Sequence, residues 1–134
     1  MSAPLFIRTP YMSAKSTTPT DGQPAYETVA SHGSEETTTL LIETLRYWYA
    51  PPGLGGRSAG YLQLAVLTPE ADLVSLERHE VAALAEDEYA GPVNIRLDLL
   101  LPPGQALQII SSPLDNMAAF TAACHVVVQG GELG

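Results

Sequence analysis

Among its 134 residues the chain has one cysteine, Cys124, and one lysine, Lys15. A lone cysteine excludes an internal disulfide, and its apolar setting, Ala122-Ala123-Cys124-His125-Val126, reads as a small buried hydrophobe. Cations are scarce altogether: six Lys and Arg stand against fifteen Asp and Glu, for a formal net charge of −9. They are scattered at Arg8, Lys15, Arg46, Arg57, Arg78 and Arg96, so no basic patch forms. Nucleic-acid affinity rests on Lys and Arg neutralising phosphates, and adsorption to anionic lipid needs a basic cluster. Neither partner is expected. No run approaches the ~20 apolar residues of a membrane span. Met1 to Pro10 lacks the cationic segment and apolar stretch of a secretory signal. The expected compartment is a reducing cytoplasm, or a particle assembled in it.

The residues of catalytic and metal sites are equally sparse. The histidines are His32, His79 and His125, far apart in the chain. His125 adjoins Cys124, but neighbours on a strand point to opposite faces, so the two make a poor nucleophile–base dyad. One Cys and three separated His do not supply metal-ligand spacing. The acidic run Glu86-Asp87-Glu88 has no alternating calcium-loop pattern and reads as a solvated face. The glycine-rich segment Gly53 to Gly60 ends in Arg57-Ser58-Ala59 instead of the Gly-Lys-Ser/Thr of a phosphate loop. A dinucleotide fingerprint would need glycine at Ser58. The expectation is no enzyme activity, no cofactor and no metal.

With 46% hydrophobic residues the chain has the material for a core, and eleven Gly and eleven Pro divide it into short elements. Residues 1–37 carry Pro4, Pro10, Pro19 and Pro24 with Ser and Thr between them, so they are expected to form an extended, flexible N-terminal arm. Its apolar residues Leu5, Phe6, Ile7, Tyr11 and Met12 are the candidate partner-binding positions. Residues 38–134 form the expected single domain.

Thr38 to Tyr49 favours a strand, with Leu40, Ile42, Thr44, Arg46 and Trp48 on one face and Leu41, Glu43, Leu45, Tyr47 and Tyr49 on the other. Tyr61 to Thr68 alternates with period two. Leu73 to Glu80 suits a strand, and Glu80 to Tyr89, rich in Ala and Glu, suits a short helix. Val93 to Leu101, Pro102-Pro103-Gly104-Gln105 and Ala106 to Ser111 read as a hairpin. Met117 to Gln129 reads as the last strand, closed by Gly130-Gly131. Six or so short strands predict an all-β chain, an antiparallel β-sandwich or jelly roll.

The run Leu99-Leu100-Leu101-Pro102-Pro103-Gly104-Gln105-Ala106-Leu107-Gln108-Ile109-Ile110-Ser111-Ser112, followed by a last strand and Gly-Gly-Glu, resembles small β-sandwich proteins of bacteriophage virions, capsid decoration (cement) proteins above all. The resemblance spans about residues 93–132. It implies a structural protein on the capsid surface, assembled in the host cytoplasm. The implied partners are the major capsid protein or another virion subunit, with the chain itself a homotrimer whose arms clamp its neighbours. A tail or baseplate subunit fits the same pattern. A non-catalytic β-sandwich carbohydrate-binding module, with Trp48, Tyr47 and Tyr49 as a stacking platform, is the reading from a different class.

Overall fold

The computed structural model describes residues 7–19, 23–31, 38–51, 58–84, 87–113 and 122–133. They form eight strands: β1 (Ile7–Thr17), β2 (Ala25–Ser31), β3 (Thr39–Tyr49), β4 (Ser58–Leu67), β5 (Leu73–Leu84), β6 (Ala90–Leu101), β7 (Ala106–Pro113) and β8 (Cys124–Leu133). The strands build two four-stranded sheets, in the orders β1-β8-β3-β6 and β2-β7-β4-β5. All pairings are antiparallel.

The first strand pairs with the eighth, the second with the seventh, the third with the sixth and the fourth with the fifth. The chain is thus one long antiparallel ribbon folded back at β4–β5 and rolled up, with β3–β8 and β4–β7 pairings completing each sheet. That is the jelly-roll form of the β-sandwich. Between the sheets lies a core that includes Leu40, Ile42, Leu45 and Tyr49 from one sheet and Leu62, Leu64, Leu107 and Ile109 from the other.

Four sequence expectations change. The arm expected over residues 1–37 is, over Ile7–Thr17 and Ala25–Ser31, two paired strands of the sandwich. Val29 and Ala30 are core residues, and Tyr11 packs against the core. Proline did not prevent this because β1 is an edge strand, where a missing N–H costs no ladder bond on the open side; Pro10 sits opposite Gly131. Leu5 and Phe6 lie outside the described residues.

The helix expected over Glu80 to Tyr89 is strand as far as Leu84, continuing β5. Its pairing with β4, with Gly60 opposite Val81 and Ser58 opposite Leu84, overrides the helix propensity of Ala and Glu.

The expected hairpin of residues 93–111 has its turn, closed by Gln105 N–H donating to Pro102 O at 3.1 Å with Gly104 at a φ of 86°. Its two strands do not pair with each other. β6 belongs to the first sheet and β7 to the second, so the turn is an arch across the core. Spacing cannot separate the two outcomes, because a tight turn serves both.

The face assignment of β3 also changes. The buried residues are Leu40 and Ile42, then Leu45, Tyr47 and Tyr49. A register shift between Ile42 and Thr44 against both neighbouring strands moves the inward set by one residue, as a β-bulge does. The bulge brings β3 against β8 so closely that a Cβ on Gly130 would lie 1.8 Å from Leu41 O. Gly130 is therefore inside β8, which runs on to Leu133, and does not close the domain.

Candidate functional site

The bulge in β3 leaves Thr44, Arg46 and Trp48 on the outer face of the first sheet. In the register, Arg46 lies between Asn94 of β6 and Val127 of β8, while Thr44 lies next to Gln129 of β8. A second irregularity, between Tyr47 and Tyr49 on β3, sets two residues of β6, Gly91 and Pro92, against one of β3, Trp48. Gly91, at a φ of 92°, makes this step possible; a Cβ there would meet Tyr47 O at 3.0 Å. Tyr89, Ala90, Gly91 and Pro92, at and beside this step, form one wall of a groove. Wall and outer face together enclose about 660 Å³. That volume lies within the range of small-molecule sites.

The aromatic residues of the groove are Trp48 and Tyr89, the latter 69% exposed. Trp48 is stacked on His125, with ring centroids 5.5 Å apart and planes 24° apart. His125 Nδ1 in turn shares a hydrogen bond of 2.7 Å with Ser16 Oγ on β1. Three strands thus hold the indole in one orientation. The polar lining is Thr44, Arg46, Asn94 and Gln129, with no carboxylate among the described lining residues. Among the described residues the ion pairs are Arg78–Glu80, His79–Glu77 and Arg96–Asp98, none of which takes Arg46. Arg96 is engaged by Asp98 at 3.0 Å, and that hydrogen bond raises its pKa further.

The second feature is the edge of the other sheet. β5 is a long strand paired on one side only, and Leu73, Val74 and Leu76 are 44%, 51% and 39% exposed. Further along, β5 is fastened: His79 rests against Tyr47 at 5.7 Å between centroids, and Arg78 lies 3.8 Å over the Tyr61 ring. Gln63 Nε2 donates to Ser75 Oγ.

The expected stacking platform of Trp48, Tyr47 and Tyr49 does not form. Tyr47 and Tyr49 point into the core, where they meet edge to face. Tyr49 OH is hydrogen-bonded to Ser111 Oγ at 3.4 Å, tying one sheet to the other. Burial, reinforced by Cys124, pushes both phenols above their ordinary pKa.

Cys124 is buried, and burial pushes its thiol up to about 12, against the smaller lowering effect of a hydrogen bond from Tyr49. His125 is on the opposite face of β8, stacked on Trp48, so the adjacent pair is separated as strand geometry requires. No cluster of three or more His, Cys, Asp or Glu occurs among the described residues.

Of the five expected binding positions, Leu5 and Phe6 lie outside the described residues and Ile7 begins β1. Tyr11 packs inward, while Met12 is 67% exposed. Tyr89, Asn94 and Gln129 were missed as site residues. The sequence signal for Asn94 and Gln129 was the outward half of the alternation on β6 and β8, and Tyr89, just before β6, had none.

No family model matches this chain, and no curated protein matches it. Among solved structures it overlaps a chain of infectious bursal disease virus, Gt strain, at 12% identity and TM-score 0.34, covering 94% of this chain and 39% of that one. A chain of the Gx strain overlaps at 12% identity and TM-score 0.34, with 95% and 38% covered. This chain spans about two fifths of the length of each.

Proposed function

We propose that this chain is a structural virion protein, a capsid decoration protein that binds the outer surface of a phage head as a homotrimer. The observation that carries the reading is β5: an edge strand with a free hydrogen-bonding side and three exposed aliphatic side chains, Leu73, Val74 and Leu76. Such an edge is a template for pairing with another chain. Native proteins either blunt it or use it, and here its first four residues, Leu73 to Leu76, carry no charge. Met12, on the edge strand of the other sheet, adds an apolar contact, and Leu5 and Phe6 precede it in sequence. The strand–turn–strand pattern of residues 93–132 supports the same reading. The jelly-roll architecture is compatible with it, since capsid and lectin domains both use this form, but architecture alone selects neither.

The test is immunogold electron microscopy of virions purified from the source of the sequence, using antibody to this chain. Label over the heads is expected. Label confined to tails would replace the decoration role with that of a tail or baseplate subunit, and unlabelled particles would reject a virion role.

A further inference from the structure

The groove on the outer face of the first sheet is not absorbed by an assembly role. We propose that it is a binding site for a carboxylated sugar, such as a uronic or sialic acid unit of a glycan, with Arg46 taking the carboxylate. Three observations converge on this.

First, the charge is inverted relative to the molecule. In a chain of net charge −9, the groove presents a guanidinium with no carboxylate among its described lining residues and no ion-pair partner among the described residues. An arginine in that state offers its planar fork to a carboxylate from outside.

Second, the aromatic residue is fixed before any ligand arrives. The stack on His125 and the hydrogen bond between His125 and Ser16 set the Trp48 ring. A platform already ordered loses little entropy on binding. An indole suits the C–H face of a sugar ring, and exposed Tyr89 lines the groove with it.

Third, the amides flank the cation. Asn94 is directly beside Arg46 in the register, and Gln129 is one strand away beside Thr44. Each amide has donors and an acceptor, which is what pairs of ring hydroxyls require. A peptide carboxylate would use Arg46, and its backbone could pair with these amides, but an acidic peptide brings no C–H ring face for the indole.

Trp48 is the only tryptophan in the chain, so its fluorescence reports on this groove alone. The full-length protein is titrated with glucuronate, N-acetylneuraminate, glucose, acetate and tetraglutamate at fixed ionic strength. A saturable change in emission is expected with the two acidic sugars, at least tenfold weaker with glucose and absent with acetate. Arg46→Gln, at an exposed position, is expected to keep the fold by circular dichroism and to lose at least tenfold in affinity for the acidic sugars. Asn94→Ala is expected to weaken both. Silence with both acidic sugars, or unchanged affinity in Arg46→Gln, would overturn the proposal. A response to tetraglutamate with the sugars silent would overturn it in favour of a peptide groove.

Discussion

At the scale of single residues, the two positions under the tightest physical constraint are Gly130 and Cys124. Gly130 lies where the β3 bulge presses against β8, and a methyl group there would overlap the backbone of Leu41. Gly130→Ala must push two paired strands apart. It is expected to cost roughly 3 kcal/mol, at the upper end of single-substitution effects, measurable by urea unfolding. Cys124 is sealed in the core, and its thiol is raised from an ordinary value of 9.0 to about 12. The thiolate is the reactive form, so iodoacetamide at pH 8 should label the native protein very slowly and the urea-unfolded protein fully. Because the folded value exceeds the unfolded one, the stabilisation is complete below pH 9 and is lost as pH rises from 9 toward 12. Raised Tyr47 and Tyr49 act in the same direction. Alkaline titration of stability should therefore fall through that window, and Cys124→Ala should make the fall shallower.

At the scale of elements, the alternation on β6 separates two substitutions that are neighbours in sequence. Ile95 is buried opposite Leu45, while Asn94 is exposed beside Arg46. Ile95→Asp buries an unpaired charge and is expected to cost about 3 kcal/mol or more. Asn94→Asp should cost well under ~1 kcal/mol; thermal midpoints of the two variants measure the difference. A larger change tests the placement of β1 and β2. Deleting residues 1–31 strips one edge strand from each sheet, uncovers β8 and β7, and removes Val29 and Ala30 from the core. The truncated chain is expected to be insoluble or to lack a cooperative unfolding transition. A soluble product with an unchanged thermal midpoint would show that these strands contribute nothing to the fold.

At the scale of the whole molecule, the roll-up topology places the first strand beside the last, with Ile7 opposite Leu133. Most pairings join segments distant in sequence, and such non-local topologies fold slowly, in milliseconds to seconds. The second consequence is assembly. Leu76 and Val74 are exposed on a strand paired on one side only, so Val74→Asp with Leu76→Asp should leave the thermal midpoint nearly unchanged. If this edge is the assembly contact, the same double variant shifts sedimentation from trimer to monomer or abolishes attachment to heads. Trimer and head binding both retained in the variant would move the contact to another surface.

Local sequence specifies the all-β class, the strand cores of β3, β4 and β6, a tight turn at Pro102–Gln105 and the inward setting of Cys124 opposite His125. These depend on propensity, on period-two alternation and on turn chemistry, all local in the chain. Tertiary structure alone decided the rest. Whether the strands flanking a Pro-Gly turn pair or part depends on which distant strands compete for their edges. The bulge at Glu43, which reverses the two faces of β3 and sends Tyr47 and Tyr49 inward while Trp48 stays outside, has no marker in the residues around it. The Ser-, Thr- and Pro-rich first segment became strand because β8 and β7 presented open edges to it. The groove follows from the same cause: Arg46, Asn94 and Gln129 lie on three strands that meet only when the ribbon is rolled.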